Sequence, residues 1–128
     1  MSPPAKLRLV GEILIAYGRM RWAMRREELP PIVERIRSGR RRSAPLSPEG
    51  RRQLSGAVMG VLSVLPTDSR CLVRSLVFLN LLERRGVAGT LVIGVRTEPE
   101  FGAHAWVECD GEALLPDGGG EYAPLTIF

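Results

Sequence analysis

The stretch CLVRSLVFLNLLERRGVAGTLVIGV, residues 71–95, decides the fold. From Leu72 to Leu82 it is apolar almost all round, and Glu83, Arg84, Arg85 and Gly86 close it, as cations and a glycine close a helix. A helix apolar on every face belongs in the middle of a core. After Gly86 the pattern changes, and Thr90 to Val95 reads as a strand. Just upstream, Thr67-Asp68-Ser69 offers three capping residues in a row, which starts the helix at or just before Cys71.

Downstream, Pro99 and Gly102 mark a loop, and Ala103 to Cys109 alternates with period two. Asp110-Gly111 then reads as a two-residue type I′ hairpin turn, which pairs Cys109 with Glu112, Val107 with Leu114 and His104 with Asp117. Upstream, apolar residues at helical spacing (Leu9, Ile13, Ala16, Tyr17, Met20, Met24) predict a helix over 5–26, stopped by Pro30 and Pro31. A short helix follows over 31–37, and residues 38–45, with Arg40, Arg41 and Arg42, read as an exposed linker. Ser47 before Pro48 is an N-cap with proline at the first helical position, and Leu54, Ala57, Val58, Val61, Leu62 and Leu65 form an apolar stripe ending at Pro66. Helices first and a sheet after make an α+β class.

With 128 residues, the chain has the size of one domain. Hydrophobic residues at 45% and charged residues at 25% exclude a disordered, collagen-like or disulfide-stapled chain. No apolar run approaches the ~18 residues of a membrane span, and no repeat is visible. Two cysteines, Cys71 and Cys109, and no N-terminal signal pattern point to a reducing cytoplasm. The net charge of +4 conceals an asymmetry: residues 1–60 carry +8 and residues 61–128 carry −4. The basic half could meet an acidic partner, but 17 of the 18 basic residues are arginine, a bias that a GC-rich coding sequence also produces.

The chemistry gathers in the acidic half. A cysteine in the first turn of a helix meets unpaired backbone N–H groups and the positive dipole end, which favour a thiolate and can also hold an oxyanion. The plain alternative for Cys71 is a small core residue. His104 is the sole histidine, and alternation puts it on one strand face with Trp106 and Glu108, leaving Ala105, Val107 and Cys109 on the other. The hairpin register sets Asp117 across from His104, close enough for its carboxylate to hold one ring nitrogen. Cys71, His104 and Asp117 thus supply nucleophile, base and orienter. A hydrogen-bonded semi-buried histidine and an aspartate that opens the Gly118-Gly119-Gly120 turn are the structural alternatives, and Pro116, which cannot donate to a ladder, weakens the hairpin argument. Cysteine spacing gives no zinc pattern, and no phosphate- or dinucleotide-binding glycine motif occurs, so neither metal nor cofactor is expected. Trp106 could wall a cleft or fill a core, and Gln53, the sole glutamine, could polarise a carbonyl.

Cys71-Leu-Val-Arg-Ser-Leu, Gly86-Val, Leu91-Val-Ile-Gly-Val-Arg and Ala103-His-Ala-Trp-Val-Glu108 together resemble the transglutaminase-like leader peptidases of lasso-peptide biosynthesis over about residues 54–128. The resemblance implies a papain-related cysteine protease core, a central helix packed on a small antiparallel sheet. On it the catalytic cysteine falls on Cys71, the histidine on His104 and the aspartate on Asp117, with Asp110 the competing carboxylate. It further implies removal of the leader from a ribosomally made precursor, before a separate ATP-dependent macrocyclase closes the ring. In the split form, a small leader-binding protein presents the precursor.

The expectation is therefore one domain over 1–128, with a basic helical N-terminal region at 1–46 and a transglutaminase-like peptidase core at 47–128. Its partners would be the precursor, a leader-binding protein and the macrocyclase, with no nucleic acid and no membrane. The alternatives are an acyltransferase or amidase using the same three residues, and a non-catalytic basic scaffold that binds an acidic peptide or nucleic acid.

Overall fold

A computed structural model describes residues 2–39, 46–64, 71–117 and 119–128. Among the described residues, four helices precede a four-stranded sheet, as the α+β reading expects. The helices are α1 (Pro3–Arg26), α2 (Leu29–Ser38), α3 (Pro48–Ser63) and α4 (Cys71–Arg84). The strands are β1 (Thr90–Arg96), β2 (Gly102–Cys109), β3 (Glu112–Ala113) and β4 (Ala123–Ile127). All pairs are antiparallel, in the order β3-β2-β1-β4.

Local chemistry accounts for most boundaries. Ser2 Oγ accepts from Ala5 N at 3.3 Å at the start of α1, and Ser47 Oγ accepts from Gly50 N at 3.0 Å at the start of α3, with Pro48 in the first turn where its missing N–H costs nothing. Helix α1 ends at Arg26 as expected, but it is Glu27 that turns extended there, and Pro30 and Pro31 sit inside the first turn of α2 instead of terminating α1. Proline is well placed there for the same reason as Pro48. Of the expected linker, Arg40, Arg41 and Arg42 lie outside the described residues, as do Leu65, Pro66 and the capping run Thr67-Asp68-Ser69.

The helix apolar all round lies at the centre. Val73, Leu76, Val77, Phe78, Leu79, Leu81 and Leu82 of α4 are buried in one cluster with Ile13 and Ala16 of α1, Ile32 and Ile36 of α2, Val58 of α3, and Leu91 and Val107 of the sheet. Its end is closed by Gly86 N donating to Glu83 O at 3.1 Å and Val87 N to Leu82 O at 3.0 Å, the paired bonds of a glycine-terminated helix. Glu83, the first residue of the closing run, is 0% exposed and accepts from Arg37 Nη1 of α2 at 2.8 Å. The carboxylate is buried because α2 brings it a cation.

The Asp110-Gly111 turn forms as expected, with φ of 52° and 80°. Cys109 pairs with Glu112 and Glu108 with Ala113, and Leu114 N donates to Val107 O at 2.8 Å. Helix α3 holds this hairpin: Arg51 Nη1 donates to Asp110 Oδ2 at 2.8 Å, Arg52 pairs with Glu112, and the buried Ser55 hydroxyl donates to Leu114 O. Among the described residues, no helix is long and apolar enough to cross a membrane.

Candidate active site

Cys71 is the first residue of α4 and is half-buried. Its carbonyl accepts from the buried Ser75 hydroxyl at 2.6 Å, which reinforces the first turn. The leading N–H groups of any helix lack an intrahelical acceptor, so an oxyanion beside Cys71 would meet donors.

Topology puts His104 at the same end of the molecule. A methyl at Gly89 would touch Leu79 and Leu82 of α4 and Val107 of β2 together, so those three are level with one another. From there, back to Cys71 is about 12–16 Å of helix at ~1.5 Å per residue, and back to His104 is about 10 Å of strand at ~3.3 Å per residue. Helix α4 and strand β2 run the same way because β1, antiparallel to β2, returns from α4 through the short Gly86–Gly89 connection. Both therefore start at one end. By alternation, the imidazole leaves β2 on the face opposite Val107, which packs on α4, so the two residues share one end of the molecule without the ring being brought against Sγ. Among the described residues, no hydrogen bond joins Cys71 Sγ to His104.

Two rings flank the imidazole. Its ring stacks on Trp106 at 5.8 Å between centroids and meets Tyr122 at 5.2 Å. Arg96 lies over the Tyr122 ring at 5.1 Å, and its guanidinium pairs with Glu121 at 2.9 Å. Trp106 is 3% exposed and donates from Nε1 to Glu108 Oε2 at 2.8 Å, so it joins core and site at once. Gly94, opposite His104 in the β1–β2 ladder, makes room for the stack: a Cβ there would fall 2.8 Å from Trp106 Cη2 and 3.0 Å from Tyr122 Cβ.

The third expected residue is placed differently from the register argument. Strand β3 ends at Ala113, so His104 and Asp117 are not ladder partners. In an antiparallel ladder with hydrogen-bonded pairs at 109/112 and 107/114, the next such pair would be 105/116, and Pro116 has no N–H to complete it. The chain leaves the ladder there. The ring nitrogen Nε2 of His104 lies 2.6 Å from the carbonyl oxygen of Pro116, while Asp117 Oδ1 accepts from Gly119 N at 3.0 Å. Asp110, the competing carboxylate, is in the turn and bound to Arg51.

Cys109 is on the buried face, donates weakly to Ala88 O at 3.7 Å, and burial pushes its thiol pKa up. Gln53 is exposed and lines a groove between α1 and α3. Among the described residues, no cluster of His, Cys, Asp and Glu could hold a metal ion. The sequence reading missed Pro116 as a partner of His104, and it missed Gly94, Arg96 and Tyr122. The missing N–H of Pro116 was the available signal for the first; the others come from strands paired across the sheet.

No curated protein and no solved structure matches the chain significantly. The family model described as the transglutaminase-like superfamily matches residues 10–127, from within α1 to the end of β4. A match over nearly the whole chain, on a central helix that opens with a cysteine and packs on an antiparallel sheet carrying the sole histidine, places this protein in the transglutaminase-like superfamily.

Proposed function

We propose that this protein is a cysteine peptidase of the cytoplasm that removes the leader from a lasso-peptide precursor, using Cys71, His104 and Asp117. The observation that carries the reading is the position of Cys71 as first residue of the buried central helix in a superfamily that includes cysteine proteases. The resemblance of residues 54–128 to the leader peptidases supplies the substrate class.

In this mechanism, the His104 imidazole takes the Sγ proton and the thiolate attacks the carbonyl at the leader–core junction. The tetrahedral oxyanion is met by the N–H groups at the start of α4. The C–N bond breaks as the imidazolium gives its proton to the leaving amine of the core, and the leader remains as a thioester on Cys71. Water then attacks the thioester. His104 takes the water's proton and returns it to Sγ, so one peptide bond and one water become one carboxylic acid and one amine. Asp117 positions His104. A separate leader-binding protein presents the precursor, and a macrocyclase uses the core that is released.

Membership of the superfamily favours one second reading, transfer of the same acyl group to an amine instead of water. Incubation with a candidate precursor and its leader-binding protein, in the presence and absence of an added amine, decides between them by mass. The peptidase yields leader acid and free core at all amine concentrations. A leader–amine adduct as the main product supports transfer, and an intact precursor under every condition contradicts both.

A further inference from the structure

We propose that His104 is oriented by the main-chain carbonyl of Pro116, and that Asp117 is a positioning residue that acts through the turn holding this carbonyl, not through a carboxylate–imidazole contact. The proposal rests on the reading of His104 as the proton carrier of Cys71. A carbonyl oxygen can only accept, so the 2.6 Å contact requires that Nε2 carry a proton and donate it to Pro116 O. The neutral ring is then the Nε2–H tautomer, with the lone pair on Nδ1. Among the described residues, Nδ1 has no hydrogen-bond partner, which leaves it open to take a proton. Trp106 and Tyr122 restrict ring rotation about this bond.

The carbonyl is available because of proline. In the ladder, Pro116 O would accept from Ala105 N in a pair that also needs a donor at position 116, and Pro116 has none. Asp117 then fixes the departing chain. Its Oδ1 accepts from Gly119 N at 3.0 Å, a side-chain turn of the kind aspartate and asparagine both make, and Gly119 and Gly120 follow with φ of 68° and 88°. The carboxylate is occupied with the backbone two residues on, and the residue before it presents its carbonyl to the imidazole.

Because His104 is the sole histidine, histidine-labelled untagged protein gives the ring nitrogens of this residue alone in a nitrogen NMR spectrum. Above the pH at which the ring becomes neutral, the expected result is protonated Nε2 and bare Nδ1 in the wild type and in Asp117→Asn, since an amide oxygen also accepts from Gly119 N. Precursor cleavage by Asp117→Asn should fall by less than about tenfold, against the ~10⁴ lost where a carboxylate itself holds the catalytic imidazole. Asp117→Ala, which cannot make the turn, should show mixed tautomers and a larger loss. A wild-type ring protonated on Nδ1, or an Asp117→Asn variant that changes tautomer and loses ~10⁴ in rate, overturns the proposal. The tautomer is read without substrate. An Nε2–H ring in a protein that cleaves nothing therefore supports the positioning and contradicts the peptidase reading alone.

Discussion

Gly94 lies directly across the β1–β2 ladder from His104, and the space a side chain would take at 94 is filled by Trp106 and Tyr122, the two rings that flank the imidazole. A methyl at 94 would be 2.8–2.9 Å from the indole, closer than carbon atoms approach without displacement. Gly94→Ala should therefore tilt Trp106, cost about 1–3 kcal/mol of stability as overpacking does, and lower cleavage more than an equal destabilisation elsewhere. Thermal melts with cleavage rates below the transition check this; an unchanged melting temperature and rate would show that the stack yields freely.

The two cysteines should differ sharply. Cys71 is half-buried at a helix start, whereas Cys109 is buried with its thiol pKa raised, so less of it is thiolate at neutral pH. Cys71→Ala should abolish cleavage in a folded protein, Cys109→Ser should keep most of it, and an alkylating reagent should modify Cys71 first. Peptide mapping after partial alkylation gives the order, and earlier modification of Cys109 would contradict the assignment of the nucleophile.

Asp110 tests the hairpin without touching His104. Asp110→Asn keeps a dipeptide suited to φ of 52° and 80° and loses only an ion pair to Arg51 in which the carboxylate is 81% exposed. Exposed pairs contribute ~0–1 kcal/mol, so stability should move by less than about 1 kcal/mol and the cleavage rate should hold. An inactive, folded Asp110→Asn protein would make Asp110 the functional carboxylate.

The buried Glu83 gives a prediction about stability alone. Arg37 reaches it from α2 with Nη1 and donates from Nη2 to the Phe128 carbonyl, tying α2, α4 and the last residue together. Arg37→Met removes one charged hydrogen-bond donor from the buried carboxylate and should cost about 2 kcal/mol. For a domain of this size, that lowers the melting temperature by roughly 8 °C. Loss of cleavage at low temperature without a change in melting would assign Arg37 a role the fold does not.

On the proposed function, a leader-binding partner should raise cleavage at micromolar enzyme by raising the local concentration of precursor. Arg40, Arg41 and Arg42 are the candidate docking residues. Titration of partner into a fixed amount of enzyme and precursor measures the effect. Full cleavage without the partner would remove the need for it, and unchanged stimulation after reversal of the three arginines would exclude only that docking surface.

What the sequence made legible divides by range. The all-round apolar run after Cys71, the Ser47-Pro48 start and the Asp110-Gly111 turn depend on neighbours along the chain, and each appears as expected. Alternation likewise placed Trp106 on the His104 face. The burial of Glu83 could not be read, because its cation comes from a helix that lies 46 residues earlier. The His104–Asp117 pairing gave way for the local reason that already weakened it in the sequence: the ladder needs an N–H at position 116, which proline lacks, and the register does not extend to 117. Tyr122 and Gly94 reach the imidazole only through strand pairing across the sheet.

The proposed chemistry requires a covalent intermediate at Cys71. Wild-type enzyme mixed with precursor and leader-binding protein, quenched in acid within the first turnover and mapped by mass, should carry the leader as a thioester on Cys71, with free core in equal amount. Cys71→Ala should carry none and release no core. Cleavage at the wild-type rate by Cys71→Ala, or the leader found on Cys109, would contradict it.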